Sequence, residues 1–275
     1  MSKINLPDIG TEDFLTYLQE KGCNHQSYKM YSTIDIVNST IENRQLYVSK
    51  GSKWNDKIDR ENFNNDRWLK LNFGRCFSYS ASESVAMWML YGGMKHEGAM
   101  IDFDKASVLE ILTKTKQIEV GYFNDSEFKT LMVLGKNDFE IQLVDVVYTE
   151  RKDNTTIYRR TAGEKWVKTE NSEFDSLSSE KHKIIYKSKA WDYEQECRLI
   201  VSVEKSKLKK LPECDDIEMV RIDLSNINLG NVKRIYAPNA NINGKSMDKF
   251  KKAEQSNLCK KVDWDLCQDC KCKPE

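Results

Sequence analysis

The chain has no apolar run long enough to span a bilayer in its 275 residues. Met1 to Gly10 lacks the apolar core of a secretory leader. There is no excess of either charge: Lys and Arg number 43, as do Asp and Glu, so no global basic field points to nucleic acid. Histidine is scarce, with only His25, His96 and His182, none at a metal-like spacing from another. A histidine-based hydrolytic site therefore has little support. Gly-x-Ser-x-Gly and P-loop signatures are absent, as are internal repeats and low-complexity linkers. Together these absences give the expectation of a cytoplasmic protein without membrane contact. The eight cysteines then count as thiols or metal ligands, not as a disulfide framework.

Hydrophobic residues make up 39% and aromatics 10%, enough for a core inside a surface that is 31% charged overall. Thr11-Glu12-Asp13-Phe14 reads as a helix start, with Thr as cap, acids in the first turn and Gly22 at the end. Strands are expected at 26–31, 45–49, 74–79, 98–104, 117–123, 141–148, 194–203, 217–224 and 232–237. Helices are expected at 34–43, 82–91, 107–113 and 125–134, the last capped by Asp125, with a further helical stretch inside 243–257. Residues 149–181 are polar and weakly periodic, either helical decoration or a long loop. Without regular βαβ alternation the class is α+β, a mixed, split sheet flanked by helices. A helical lead-in over 1–24, a main domain over 25–245 and a C-terminal helix with a Cys-rich tail over 246–275 complete the division.

Lys187 to Val203 is the stretch with most chemistry. Its second half, Arg198 to Val203, is a β-branched and aliphatic strand. If that strand begins at Glu194, then Glu194, Glu196 and Arg198 share a face. Two carboxylates so placed disfavour each other's ionisation unless a cation or ligand sits between them. The competing reading is an edge strand whose acids face water and pair with Arg198 and Lys189. In the tail, Cys259, Cys267, Cys270 and Cys272 offer four thiolates for a structural zinc site, or are free thiols. Cys23, Cys76, Cys197 and Cys214 are scattered and read as buried inert thiols. In the N-terminal half, Tyr28, Tyr31, Tyr47 and Trp88 form either one rim of a cleft or part of the core.

Several segments, in order, resemble the bacterial domain of unknown function numbered 2971. They are Tyr28-Lys29-Met30-Tyr31, Leu46-Tyr47-Val48-Ser49, Asn55-Asp56 and Cys76-Phe77-Ser78. Trp88-Met89-Leu90-Tyr91, Gly98 to Phe103, Lys187 to Leu199 and Arg234 to Pro238 follow. The resemblance runs over about residues 25–245, leaving the cysteine tail outside.

The same order is distantly similar to ADP-ribosyltransferases. That likeness implies an NAD-cleaving enzyme that transfers or releases ADP-ribose, as a toxin or anti-phage effector. By position it makes Glu196 the catalytic carboxylate, Glu194 the residue that orients or activates the acceptor, and Ser78 the support of the nicotinamide pocket. Lys29 stands where the family has an Arg, and lacks its bidentate fork. Tyr28, Tyr31, Tyr47, Ser49, Asn55, Trp88, Tyr91 and Arg198 would complete the NAD-binding wall. The acceptor is a protein, nucleic acid or small molecule, with an antitoxin or phage component as a further partner. On the reading of Glu196 as exposed, Glu196→Gln is expected to abolish activity at little cost in stability. Two alternatives stand beside this: a non-catalytic nucleotide- or protein-binding module, and a metal-dependent nuclease using Asp102, Asp104, Glu194, Glu196 and Lys187.

Overall fold

A computed structural model of the chain describes residues 12–51, 54, 56–63, 69–91, 98–125, 127–150, 156–160, 166–170, 184–208, 217–237 and 253–255. Helix α1 (Glu12–Gly22) leads into β1 (Ser27–Thr33), α2 (Ile34–Ile41), β2 (Gln45–Ser49), α3 (Lys57–Phe63), β3 (Lys70–Ser78) and α4 (Val85–Tyr91). Next come β4 (Gly98–Asp104), α5 (Lys105–Lys114), β5 (Gln117–Asn124), β6 (Glu127–Gly135) and β7 (Phe139–Asp145). The chain continues through β8 (Val147–Glu150), β9 (Thr156–Arg160), β10 (Trp166–Glu170) and β11 (Tyr186–Ser188). A 3-10 helix, Lys189–Glu194, precedes β12 (Glu196–Glu204), β13 (Met219–Asp223), β14 (Lys233–Tyr236) and β15 (Ala253–Gln255). The protein is α+β, with a mostly antiparallel sheet of eleven strands flanked by helices, and a second sheet ordered β10-β9-β8-β11.

Strand β3 is where the large sheet divides. Along one edge it pairs with β12 over its whole length, from Glu196↔Ser78 to Glu204↔Lys70, and β12 in turn pairs with β7. Its other edge meets β1 only at Lys29↔Ser78 and β2 only at Ser49↔Gly74. From those two points β1 leads on to β4, β14 and β15, while β2 leads on to β13, β5 and β6. The segment 75–77 therefore lies at the fork between two diverging limbs.

Burial follows the two faces of β12. Cys197, Leu199, Val201 and Val203 belong to the main core with Phe73, Phe77, Met30 and Phe103. Ile200 joins a second cluster with Val144, Val147, Ile184, Ile185 and Tyr186, covered by Phe14, Leu15 and Leu18 of α1. Among the described residues no helix is long and apolar enough to cross a membrane.

The helix expected at 125–134 is instead strand β6, folded back on β5 from Asn124↔Glu127 to Gln117↔Gly135. Asp125 does not cap a helix; it turns the hairpin with a left-handed φ of 46°, a conformation Asp tolerates better than most residues. Within the polar stretch 149–181, β9 and β10 pair with each other instead of forming helical decoration. Inside 243–257, residues 253–255 form a strand parallel to β14; the rest of that expected helix lies outside the described residues, as do Cys214, Cys259, Cys267, Cys270 and Cys272.

Candidate active site

The strand begins at Glu196, not Glu194. Glu194 ends the 3-10 helix, and Gln195 between them takes a left-handed φ of 43° and ψ of 61°. That conformation costs a non-glycine residue about 1–2 kcal/mol. The resulting turn leaves both carboxylates in contact with one cation. Lys187, from β11, donates from Nζ to Glu194 and, at 2.9 Å, to Glu196 Oε2. Tyr91 at the end of α4 donates to Glu194 Oε1 at 2.7 Å. The Glu196 main-chain N–H donates to the Tyr148 hydroxyl at 2.8 Å.

Behind Glu196 stands Arg198, fully buried. Its Nε donates to Glu196 Oε1 at 2.5 Å, and its two terminal nitrogens grip Asp59 of α3 at 3.0 and 2.6 Å. It also donates to the Ile184 carbonyl at 2.7 Å. Trp54 and Phe63 cover the guanidinium, their ring centroids 5.3 and 5.5 Å from its carbon. Gly74 makes room for them: a Cβ there would come within 2.6 Å of Trp54 and 2.8 Å of Phe63. Trp54 is fixed by donating from Nε1 to Ser49 Oγ at 2.8 Å.

Three acids, Asp59, Glu194 and Glu196, thus share two cations, Lys187 and Arg198. Removal of such charges from water is costly unless each is paired. The shortage of cations falls on Glu194. Burial, then the negative charge of Glu196, push its carboxyl up to about 7 against the pull of Lys187 and Tyr91. Burial would raise Glu196 as well, but the charges of Arg198 and Lys187 overcome it and hold the carboxyl far below the usual range. Burial also raises Asp59, opposed by Arg198. The result is a fixed anion beside an acid that titrates near neutrality, the division of labour that acid–base chemistry uses.

A cavity of about 480 Å3 opens over this cluster at the fork of the sheet. Its wall includes Glu194, Glu196, Lys187, Tyr91, Asp59, Trp54 and Ser49, with Lys29, Tyr31, Arg75 and Cys76. Of the residues expected from sequence, Glu194, Glu196, Lys29, Tyr31, Ser49 and Tyr91 are brought together here. Arg198 supports the site from behind. Ser78 lies in register between Lys29 and Glu196 but is buried and does not reach the wall among its described residues.

Other expectations are corrected. Tyr28 is a core residue whose hydroxyl donates to the Gly22 carbonyl at 2.7 Å. Trp88 packs edge-on against Tyr31 at 4.9 Å and donates to Glu83, supporting the wall from outside the cavity. Tyr47 is on the other limb, packed at a tilt against Phe123 and Phe128, and its hydroxyl donates to Gln45. Asn55 lies outside the described residues. The edge-strand alternative is overturned because β12 has a partner on each side and its acids are buried. For the same reason Glu196, only 1% exposed, is not open to a swap without structural cost. The nuclease constellation does not assemble as drawn. Asp102 accepts from Ser27 at 2.5 Å, Asp104 accepts from the Ser107 N–H at the start of α5, and neither is on the cavity wall.

On the opposite face of β12, Cys197 meets His25 and Asp145, with one donor atom of each within 4.8 Å of the others. His25 Nε2 and Asp145 Oδ1 are 2.6 Å apart, and the imidazole stacks on Tyr79 at 4.0 Å. Cys197 is buried as expected, whereas Cys23 and Cys76 are only part-buried and Cys76 reaches the cavity wall; burial raises all three thiols. The trio comes from three separate elements, which sequence spacing does not reveal.

The fold and site define an α+β protein with a buried carboxylate–cation cluster under a cavity. Residues 87–199 match the model of a family described as Protein of unknown function (DUF2971). The matched span is narrower than the resemblance read from the sequence, but it contains Tyr91, Lys187, Glu194, Glu196 and Arg198 and supports that resemblance. No curated protein and no solved structure matches.

Proposed function

We propose that the cavity is the active site of an ADP-ribosyl-transferring enzyme, which breaks the N-glycosidic bond of NAD and passes ADP-ribose to an acceptor or to water. The observation that carries this reading is one row across three neighbouring strands. Lys29 on β1, Ser78 on β3 and Glu196 on β12, the three residues that the likeness to ADP-ribosyltransferases singles out, are cross-strand neighbours, with Lys29 and Glu196 on the cavity wall and Ser78 buried between them. In this reaction the bond between the ribose C1′ and the nicotinamide nitrogen breaks, and its electron pair leaves with nicotinamide. Positive charge develops on the sugar. Glu196, kept ionised by Arg198 and Lys187, is the fixed negative group that stabilises it. Glu194, with a carboxyl that titrates near neutrality, takes the proton of the attacking nucleophile. A partner that restrains the activity, an antitoxin or a phage component, belongs to the same proposal.

A second reading is favoured by one specific feature. Both oxygens of Glu196 are already engaged by Arg198 and Lys187, as they would be in a nucleotide- or protein-binding module that catalyses nothing.

Incubation of wild type, Glu196→Gln and Glu194→Gln with NAD and with cell lysate, followed by mass analysis, separates the two. The enzyme reading predicts nicotinamide release by wild type, lost in Glu196→Gln that retains a folded circular-dichroism spectrum. Equal release by folded Glu196→Gln, or none by wild type alongside tight binding of intact NAD, would sink it.

A further inference from the structure

The two ends of the cavity differ in how their charges are answered. At the β12 end, Lys187 and Arg198 are paired with three carboxylates. At the β1 end, Lys29 is 6% exposed, and among the described residues its Nζ donates to two neutral oxygens, the Ser80 carbonyl at 2.6 Å and, at 2.7 Å, Ser27 Oγ, which passes a hydrogen bond on to Asp102 at 2.5 Å. Arg75, a part-buried residue of β3 that pairs with β12 on one edge and lies at the fork on the other, donates from Nε to the thioether sulfur of Met30 at 2.9 Å. A thioether is a weak acceptor and carries no charge. Among the described residues no carboxylate forms an ion pair with either cation. Burial lowers the Arg75 pKa with only the neighbouring Cys76 thiol opposing it, the direction expected of a guanidinium without an anion beside it. Buried cations are costly unless paired, and here both line one cavity.

We infer that Arg75 is the seat for a phosphate or pyrophosphate group of the ligand that occupies this cavity, with Lys29 as a second cation on the same cavity wall. The inference rests on the reading of the cavity as the functional site, and it adds a polarity: anion at the β1 end, carboxylate chemistry at the β12 end. Arg suits this task because its planar fork matches phosphate oxygens and stays charged. Lys29 adds a point charge from the neighbouring strand.

The test is calorimetric titration of the full chain with ADP-ribose, inorganic pyrophosphate and adenosine. Wild type is expected to bind ADP-ribose, with binding weakened by salt, and to show no measurable affinity for neutral adenosine. Pyrophosphate binding would mark the phosphates as sufficient; its failure beside ADP-ribose binding would mark the intact nucleotide as the source of the anion. Arg75→Met, which packs against Met30, should weaken ADP-ribose by about tenfold or more, the scale of one charged hydrogen bond. Lys29→Met should weaken it as well. If Arg75→Met melts early, Arg75→Gln carries the test, since it keeps length and a donor. Unchanged affinity in folded Arg75 variants, or no binding of ADP-ribose or pyrophosphate by wild type, would overturn the inference. Failure of the two proposals is distinguishable. Arg75-dependent ADP-ribose binding without nicotinamide release removes the enzyme reading alone. NAD cleavage with unaltered KM in Arg75→Met removes the phosphate seat alone.

Discussion

The two faces of β12 are made from alternate residues of one nine-residue strand, yet they are held by opposite means. On one, Cys197, Leu199, Val201 and Val203 are buried against other apolar side chains, and their burial is favourable on its own. On the other, Glu196 and Arg198 are as deeply buried and depend entirely on partners: Lys187 from β11, Asp59 from α3, Trp54 from a loop. The apolar face tolerates approximate solutions. The charged face does not, because removal of one member strands another in a low-dielectric interior. Such an arrangement is weak support for stability and is more readily understood as a device that sets carboxylate charge states at the cavity.

The sharpest way to break the contrast is Arg198→Met. It leaves Asp59 and Glu196 without their principal cation, and a loss of about 3–5 kcal/mol is expected in urea unfolding. Leu199→Ala on the apolar face is expected to cost about 2–5 kcal/mol by cavity formation. The distinction lies in repair. Asp59→Leu introduced into Arg198→Met should recover a large part of the loss, because it removes a stranded charge. No second apolar substitution should repair Leu199→Ala to that extent. If Arg198→Met alone is as stable as wild type, the charged face is not structurally coupled as described.

A smaller effect concerns pH. Glu194 has a carboxyl raised from 4.5 to about 7 in the folded protein. Between those values the folded state holds the extra proton, so this group's contribution is fully present below about 4.5 and is lost as pH rises through about 7. The span is worth up to about 3 kcal/mol. Glu196 acts in the opposite sense: its contribution is present above the ordinary carboxylate range and is lost as pH falls through its depressed folded value. Comparison of Glu194→Gln with wild type in urea at pH 5 and pH 7 isolates the first. Wild type should lose stability relative to the variant on going to pH 7; a constant difference between the two would contradict the assignment.

How far this could be read from sequence follows the same division. The apolar half of β12, the short strands and the helices near α1, α2 and α5 carried their periodicity openly. Glu194 and Glu196 stood out as a pair, although their shared environment comes from the Gln195 turn and not from strand alternation. Asp59 and Arg75 gave no signal. An Asp in the first turn of a short helix looks solvated, and an Arg in a strand looks like any surface cation until the fork of the sheet is known. Lys187 was visible as the start of the Lys187 to Leu199 segment and as a member of the nuclease alternative, but not as the cation shared by Glu194 and Glu196. Tyr28 and Tyr47 illustrate the converse, since an aromatic on a strand serves a core as readily as a cleft. The error at 125–134 came from local reading of a segment whose strand identity depends on β5, its partner.

The central claim is that one environment drives two neighbouring carboxyls apart. Infrared or carbon NMR titration of the Glu side chains, with Glu194→Gln to assign the signal, tests it most directly. The expected result is one carboxyl that protonates near pH 7 in wild type and vanishes in the variant, while Glu196 stays ionised through the acid range in which ordinary carboxylates titrate. Titration of both groups together near 4.5, the ordinary value for Glu, would contradict it.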